Sequence, residues 1–361
     1  MISKRARSVD TSGIRRVFDL AAQLTDPINL SIGQPDFDAA PAVKLAAKAA
    51  IDEGKSRYTV TQGIPELRAA LRSRYELTDE QDVFVTAGVS GGLLLSYLTL
   101  LDPGDQILVP DPFFCIYRDL ALMVNAETVY YDTYPDFRST AERIERALTP
   151  QVKAIIVNTP GNPTGVASTQ SEVDDIVELA RRHNLVLIYD EIYDAFCYDE
   201  PHPRCLDRYE NTILLNGFSK SAGVPGWRIG YVAGPKPLLS QMTKLQQYTL
   251  VCANSVAQWA MIEALEVDYS EQLQAYRKKR DFVVAALEDV LELVKPGGAF
   301  YVFPKAPGGS GQQFVERCIK ENLLLVPGSV FSRRDTHFRL SFSAPMETLE
   351  RGVEVIRRLV S

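Results

Sequence analysis

Residues 152–191 hold two apolar runs, VKAIIVNTP (152–160) and LVLIYDE (185–191), on either side of the helical pattern TQSEVDDIVELARRHN (169–184). Runs as continuously apolar as these are typical of strands that are buried on both faces of a sheet. Strands that alternate with helices indicate a mostly parallel sheet that helices cover on both sides. This stretch therefore predicts an α/β fold.

The same alternation continues on both sides of this stretch. We expect a large domain with a mostly parallel, seven-stranded sheet sandwiched by helices. From about residue 236 the pattern changes to helices, then to short strands and a closing helix, which predicts a smaller α+β domain. The further β-branched runs that end in turn residues are 82–88, 105–112, 126–132, 211–217 and 228–234.

The change of pattern also divides the chain. We expect residues 1–40 to form an N-terminal arm and part of the small domain, residues 41–268 the large domain, and residues 269–361 the small C-terminal domain. The helical pattern at 269–294 contains neither proline nor glycine and could connect the two domains.

Length, composition and charge exclude several classes of protein. The chain has 361 residues, 46% of them hydrophobic, which is enough for a sizeable core. A net charge of −7 argues against nucleic acid as a partner. The longest apolar run, GGLLLSYLTLL (91–101), is too short to cross a membrane, and the basic N-terminus lacks the apolar core of a signal peptide. We therefore expect a cytoplasmic protein without a membrane partner.

The five cysteines and three histidines do not form a recognisable pattern. The cysteine count is odd, no CxxC pair occurs, and the histidines are scattered along the chain. We predict neither a metal site nor a disulfide framework, and the cysteines are expected to be reduced and to act as small apolar residues.

Polar, charged and aromatic residues follow several of the predicted strands. Ligands of parallel sheets bind beyond the carboxyl ends of the strands, so residues there are candidates for a common site. The residues at these positions are Gly88, Val89 and Ser90, then Phe113 and Phe114, then 158–165 with Asn162, 190–193 with Asp190 and Tyr193, and 217–220 with Ser219 and Lys220.

Lys220 stands among small residues in the stretch NGFSKSAGVPGWRIG (216–230). Most lysines in such stretches are solvated loop residues. However, no carboxylate lies nearby in the sequence to pair with Lys220. A buried lysine has a lowered pKa, and its neutral amine can attack a carbonyl group and form a Schiff base.

Arg228 and the turn Gly88-Val89-Ser90 indicate an anion site. Arginine binds phosphate through two parallel hydrogen bonds, although Arg228 could also be structural and stack beside Trp227. The turn opens the predicted helix that includes residues 91–101, where free backbone N–H groups and the helix dipole favour an anion.

Asp190 ends a strand that is otherwise apolar, and a buried aspartate needs a partner. That partner could be a backbone N–H group, the lysine, or the protonated ring nitrogen of a ligand. Tyr193 can present its hydroxyl to the same ligand, and Phe114 can offer an aromatic face or pack in the core. The stretch NTPGNPTG (158–165) could be a plain tight turn after a strand. Asn162 precedes Pro163, which favours an extended backbone that can aim the amide into the site rather than along a helix.

A lysine for an imine, an aspartate for a pyridinium nitrogen, an anion cradle and an aromatic face together describe pyridoxal 5′-phosphate. The chain resembles the class I/II aminotransferases, which are fold-type I pyridoxal-phosphate enzymes, and within them the aspartate, alanine and aromatic aminotransferase branch. The motifs that carry this resemblance extend over nearly the whole chain, and include INLSIGQPDFD (28–38), YTVTQGIPELRAAL (58–71), NTPGNPTG (158–165), YDEIYDAFCYD (189–199), GGAFYVF (297–303) and FRLSFS (338–343).

The resemblance implies roles for residues that hold the cofactor. Lys220 would form the Schiff base and later shuttle a proton, Asp190 would keep the ring nitrogen protonated, and Phe114 would stack on the ring. Asn162 and Tyr193 would bond the 3′ oxygen of the ring. The phosphate would lie among Gly88, Val89, Ser90, Ser219 and Arg228, together with the partner subunit's Tyr58.

The resemblance also implies a substrate pocket and a homodimer with shared active sites. Arg339 would bind the α-carboxylate of the substrate as a bidentate pair, with Asn162 nearby. Gly33 and Ile14 would line the pocket. The stretches 224–228 and 249–260 depart from the usual family pattern, and no second arginine for an acidic side chain is evident.

The activity implied is transfer of an amino group from an L-amino acid to a 2-oxo acid, with 2-oxoglutarate as the expected acceptor and a ping-pong mechanism. Because one fold hosts several reactions, a carbon–sulfur β-lyase is the alternative. A ligand-sensing module of a transcription regulator is a further alternative, and we expect it least because no helix-turn-helix pattern precedes MISKRARS.

Overall fold

The structure is a computed structural model and describes residues 1–10, 13–22 and 24–360. Within these ranges the strands are β1 Ile28–Asn29, β2 Gln81–Thr86, β3 Gln106–Asp111, β4 Glu127–Asp132, β5 Val152–Asn158, β6 Val186–Asp190, β7 Thr212–Gly217, β8 Gly230–Pro235, β9 Tyr301–Val302, β10 Leu323–Leu324, β11 Val326–Pro327 and β12 Phe338–Ser341. The α-helices are α1 Lys4–Ser8, α2 Gly13–Ala21, α3 Pro41–Asp52, α4 Pro65–Arg74, α5 Gly88–Leu100, α6 Ile116–Val124, α7 Ala141–Ala147, α8 Gln170–Arg182, α9 Phe218–Ser221, α10 Lys236–Thr249, α11 Ser255–Ala264, α12 Ser270–Leu287, α13 Gly311–Lys320 and α14 Met346–Val360.

Seven strands form one sheet in the order β2-β8-β7-β6-β5-β3-β4. All neighbouring pairs are parallel except those of β8, which runs antiparallel to both β2 and β7. The predicted mostly parallel, seven-stranded sheet is therefore confirmed. Its one reversed strand was not evident from the sequence, because β8 is as apolar as the parallel strands of the sheet.

The apolar run of β5 is continuous because both of its faces are buried. Ile155 and Val157 belong to the core on one side of the sheet, whereas Ala154 and Ile156 belong to the core on the other side. Side chains along a strand alternate between the two faces, so a doubly covered strand contains few polar residues.

Helix α8, which connects β5 to β6, begins at a capping box. The Thr169 hydroxyl accepts a hydrogen bond from the Glu172 N–H at 3.2 Å, and the Glu172 carboxylate accepts one from the Thr169 N–H at 2.8 Å. Both N–H groups would otherwise lack a partner in the first turn. The helix then buries Val173, Ile176 and Val177 against the sheet.

The C-terminal part of the chain has a core of its own. Phe300, Phe314 and Leu340 meet helices α12 and α14 there. The sheet β11-β12-β9 lies in this part, and β1 pairs in parallel with β10, so that Ile28 lies opposite Leu323. An N-terminal strand thus joins the C-terminal part, while the domain boundaries at residues 41 and 269 remain a prediction.

One edge of the large sheet collects the residues that follow its parallel strands. Because β8 is reversed, Arg228, which precedes β8, lies at the same edge as Lys220, which follows β7. Among the described residues, no helix is long and apolar enough to cross a membrane.

Candidate active site

A cavity of about 290 Å³ opens at this edge of the sheet. All of the site residues expected from the sequence line it, except Gly88 and Tyr58. The lining residues are Ile14, Gly33, Val89, Ser90, Leu93, Phe114, Tyr117, Asn158, Asn162, Asp190, Ile192, Tyr193, Ser219, Lys220, Pro225, Arg228, Tyr301 and Arg339.

Lys220 lies on α9, a single helical turn that follows β7 directly. Its ammonium group donates a hydrogen bond to the Gly33 carbonyl at 2.5 Å. Burial, together with the positive charges of Arg339 and Arg228, lowers the pKa of Lys220 to about 8 against the opposing effect of Asp190. An amine with such a pKa is partly neutral near physiological pH and can act as a nucleophile.

Asp190 ends β6 and is only 2% exposed. Its carboxylate accepts hydrogen bonds from the Tyr117 hydroxyl at 2.7 Å and from the Ile192 N–H at 3.2 Å. Burial raises the pKa of Asp190 to about 6, although both hydrogen bonds oppose the rise. A cationic ligand group placed beside this carboxylate would stabilise its charged form.

Tyr117 was not predicted as a site residue. It lies in the first turn of α6, three residues after Phe114, and the two rings meet edge to face with centroids 5.9 Å apart. The sequence FFCIY (113–117) could have indicated it, because a helix that begins at 116 keeps Tyr117 near the edge of the sheet. Phe114 itself is half-buried and lines the cavity.

Arg339 lies on β12 and is 1% exposed. Its guanidinium donates to the Asn162 side-chain oxygen at 2.9 Å and to the Ser31 carbonyl at 2.7 Å, and burial lowers its pKa. Within the described residues its Nε has no hydrogen-bond partner and no carboxylate pairs with it. A buried cation without a counter-charge is costly, and an anion would relieve that cost.

Asn158 holds the turn that presents Asn162. Its side-chain oxygen accepts from the Asn162 N–H at 2.8 Å, and its amide donates to the Asp190 carbonyl at 3.0 Å. The two asparagines therefore connect the end of β6 to Arg339, which explains why a turn that is rich in proline and glycine carries both of them.

Gly88, Val89 and Ser90 form the first turn of α5, opposite Arg228. The backbone of Gly88 has φ +72°, and a Cβ added there would lie 2.7 Å from the Arg228 Nη2. Only glycine suits both the left-handed backbone and the close approach. Val89 and Ser90 reach the cavity, and the first N–H groups of a helix are free to bind an anion.

Tyr193 is buried, and its hydroxyl lies 2.8 Å from that of Tyr301. Tyr301 was also not predicted as a site residue, although it lies in the quoted motif GGAFYVF. Nothing in the spacing of that motif indicates that its tyrosine reaches Tyr193, because the two are more than a hundred residues apart, on different elements.

Tyr58 lies outside this cavity and is 86% exposed. It lines an open surface pocket with Arg57 and residues 252–255. Ser219, on α9, and Ile14, on α2, do line the cavity.

The profile of the family described as "Aminotransferase class I and II" matches residues 25–356. A probable aspartate aminotransferase of Methanocaldococcus jannaschii is 35% identical, with 99% of this chain and 100% of the relative covered. A probable N-acetyl-LL-diaminopimelate aminotransferase of Bacillus subtilis is 36% identical, with 100% and 96% covered.

Among solved structures, the aspartate aminotransferase from Thermus thermophilus with maleate has a TM-score of 0.95 at 32% identity, and 99% of each chain is covered. The predicted fold class is thus confirmed. The chain belongs to the aminotransferase class I and II family and is an amino-acid aminotransferase.

Proposed function

We propose that this aminotransferase depends on pyridoxal 5′-phosphate and passes the amino group of an L-amino acid to a 2-oxo acid, with 2-oxoglutarate as the expected acceptor. The observation that carries the proposal is the placement of Lys220, an amine with lowered pKa, in one cavity with the buried Asp190 and with Arg339, whose Nε has no hydrogen-bond partner among the described residues.

The residues of the cavity suit each part of the cofactor. Lys220 would hold its aldehyde carbon, and Asp190 its ring nitrogen. The first turn of α5 and Arg228, whose Nη2 would lie 2.7 Å from a Cβ on Gly88, would hold the phosphate. When bound, the cofactor supplies a carbonyl carbon that takes up the amino group and a ring that accepts electrons. Asn162 and Tyr193 would bond the ring oxygen, and Phe114 would cover one face of the ring.

The chain supplies the positions and the proton transfers. Asp190 would keep a negative charge beside the ring nitrogen and so would hold the proton there. The Lys220 Nζ, partly neutral because of its lowered pKa, would accept a proton from the substrate α-carbon and return it to the carbon that was the aldehyde carbon of the cofactor. Arg339 binds the α-carboxylate, which every amino-acid substrate carries.

One relative is named as a probable aspartate aminotransferase, and a relative from Thermococcus litoralis is named as an aromatic-amino-acid aminotransferase. Purified protein should be tested with a panel of amino acids and 2-oxoglutarate. Formation of glutamate supports the proposal, and parallel double-reciprocal plots support the ping-pong order. Release of pyruvate and ammonia from cystathionine without any 2-oxo acid would instead indicate the β-lyase.

We propose further that the active enzyme is a homodimer whose two sites each take a tyrosine from the other subunit. Tyr58 is 86% exposed outside the cavity of its own chain, and Tyr248, Leu250 and Val251 are exposed near residues 252–255 of the same surface pocket. An exposed apolar patch on a folded chain commonly marks an interface.

The shared site can be tested with two inactive variants. Tyr58→Phe and Lys220→Ala subunits should be inactive or strongly impaired as pure preparations. Mixed and reassociated, they form one composite site in which a wild-type Lys220 meets a wild-type Tyr58, and activity should return. Failure to regain activity on mixing, with mixed dimers verified by mass, counts against the shared site.

A further inference from the structure

Tyr301 contacts two groups that the proposed function assigns to different tasks. Its hydroxyl lies 2.8 Å from the Tyr193 hydroxyl, and the Arg339 guanidinium lies 4.5 Å from the centre of its ring. The residue is 1% exposed and lies on β9, directly opposite Ser341 of β12, the strand that carries Arg339. We propose that Tyr301 is a positioning residue, whose hydroxyl orients Tyr193 and whose ring fixes Arg339.

The hydrogen bond between the Tyr193 and Tyr301 hydroxyls can run in either direction. Each of the two tyrosines has one hydroxyl proton, so at a separation of 2.8 Å one donates and the other accepts. Among the described residues Tyr193 is the hydrogen-bond partner of the Tyr301 hydroxyl. If Tyr301 donates, the proton of Tyr193 is free to point into the cavity and bond a ligand oxygen there.

Arg339 lies in an aromatic environment. Its guanidinium lies between two aromatic rings, 4.5 Å from the centre of Tyr301 and 4.6 Å from that of Phe331. Cation–π contacts of this kind are strongest in desolvated sites. They hold the plane of the guanidinium without consuming its N–H groups, and its Nε has no other partner among the described residues.

The glycine at position 33 supports a fixed location for the Tyr301 hydroxyl. A Cβ added to Gly33 would lie 2.6 Å from that hydroxyl oxygen. The Gly33 carbonyl, in turn, accepts the hydrogen bond from Lys220. Tyr301 therefore packs against the segment that holds the lysine amine as well.

The proposal rests on the proposed function, and two variants separate its parts. Tyr301→Phe removes only the hydroxyl. It should raise the pH midpoint of the visible absorbance change of the bound cofactor by roughly half to one pH unit, the change in equilibrium that one hydrogen bond contributes. It should lower kcat severalfold while KM for the amino acid stays within about twofold.

Tyr301→Leu removes the ring as well. The dissociation constant of 3-phenylpropionate, a monocarboxylate probe measured by calorimetry, should rise about tenfold in Tyr301→Leu and less than about twofold in Tyr301→Phe. Phe331→Leu is the matched variant, because it removes the other aromatic ring that contacts Arg339. It should weaken binding of 3-phenylpropionate without moving the pH midpoint of the cofactor absorbance. If Tyr301→Leu does not fold, Tyr301→Met replaces it.

A further control is Tyr209→Phe, which removes a buried hydroxyl that bonds the Leu185 carbonyl outside the cavity and should change neither readout. A Tyr301→Phe enzyme with the wild-type midpoint and kcat overturns the hydroxyl role, and equal loss of probe binding in Tyr301→Phe and Tyr301→Leu overturns the ring role. If wild-type protein does not bind the cofactor, the proposed function fails. Binding of 3-phenylpropionate, measured by calorimetry on the cofactor-free proteins, then still decides the role of the Tyr301 ring.

Discussion

Asp190 and Glu191 are consecutive buried carboxylates on opposite faces of the large sheet. Asp190 faces the cavity, and among the described residues its carboxylate accepts hydrogen bonds from the Tyr117 hydroxyl and the Ile192 N–H alone. Glu191 faces the other side, where the Tyr75 hydroxyl, the Asn216 amide and His202 all lie within 3.0 Å of its oxygens. Two buried carboxylates can therefore differ in how many hydrogen-bond partners the protein supplies to them.

The difference extends to the charges around each acid. Burial alone lowers the pKa of His202, but its bonds to Cys197 and Glu191 outweigh that effect and raise the pKa to about 10. Glu191 therefore pairs with a cation that the fold itself supplies. Burial raises the pKa of Asp190 to about 6 against the opposing effects of its two hydrogen bonds and of the Lys220 charge, and among the described residues no cation forms an ion pair with this carboxylate. A carboxylate that is paired with a cation of the protein stabilises the fold, whereas a buried carboxylate without such a pair is suited to bind a ligand.

The largest effect is expected on the cavity side, from Lys220→Ala. Turnover should fall by about four orders of magnitude or more, because no other amine in the described cavity can replace it. Borohydride treatment followed by peptide mapping should label Lys220 in the wild-type protein and leave the variant unlabelled. Lys244→Ala, at an exposed lysine on α10, is the control and should retain full activity. A labelled or active Lys220→Ala variant would refute the assignment.

The pair Asp190→Asn and Glu191→Gln tests the comparison directly. Asp190→Asn should lower kcat by roughly a hundred- to a thousandfold, as expected when a buried cation loses its counter-charge. In the cofactor-free protein the same change should raise the free energy of unfolding at pH 7 by up to about 3 kcal/mol, because it removes a carboxylate whose pKa lies above its ordinary value.

Glu191→Gln should show the reverse pattern. The free energy of unfolding should fall by about 2–3 kcal/mol, since His202 loses its charged partner, while kcat should change only severalfold. Urea unfolding of the two cofactor-free variants gives their free energies of unfolding, and steady-state kinetics of the two cofactor-bound variants gives their kcat values. Equal losses of activity in the two variants would mean that the two faces of β6 do not differ in function.

The pH dependence of stability sharpens the same contrast. The folded pKa of His202, about 10, lies above its ordinary value of 6.5, so its contribution is fully present below pH 6.5 and is lost as the pH rises toward 10. The groups that face it are Glu191, Asp194 and Cys197. We expect wild-type stability to fall by about 2–4 kcal/mol over this range and His202→Gln to show a much flatter profile. A variant as steep as the wild type would contradict the assignment.

The sequence predicted the sheet well because the cause of each strand is local. Runs such as AIIV in β5 are apolar as a result of burial on both faces, and that pattern is visible without the structure. The residues that follow each strand were likewise predictable, because the carboxyl ends of parallel strands meet at one edge. The start of β8 lies at that edge as well, since the strand is reversed.

What the sequence did not reveal depends on contacts between distant segments. Tyr117 and Tyr301 are ordinary members of apolar runs, and only the three-dimensional structure brings them to Asp190, Tyr193 and Arg339. The motif YDE (189–191) does not indicate which acid faces the cavity either, since both follow the same apolar strand. The stretch around Lys220 suggested a loop, but the structure contains a helical turn there, because Phe218 is buried and fixes it in the core.

The smallest effect is expected from Tyr117→Phe, which removes one of the two hydrogen bonds to the Asp190 carboxylate and leaves the ring in place. This bond lowers the pKa of Asp190, so its loss should raise that pKa by up to about one unit and make the carboxylate easier to protonate. The acid limb of the kcat/KM profile should move to higher pH, with kcat at its optimum reduced about two- to fivefold. Tyr75→Phe, which removes the corresponding hydroxyl from Glu191, should leave the acid limb in place and lower the free energy of unfolding by about 1–2 kcal/mol. If both variants shift the acid limb equally, then the two carboxylates influence the site through the backbone of β6, and the contrast between its faces does not hold.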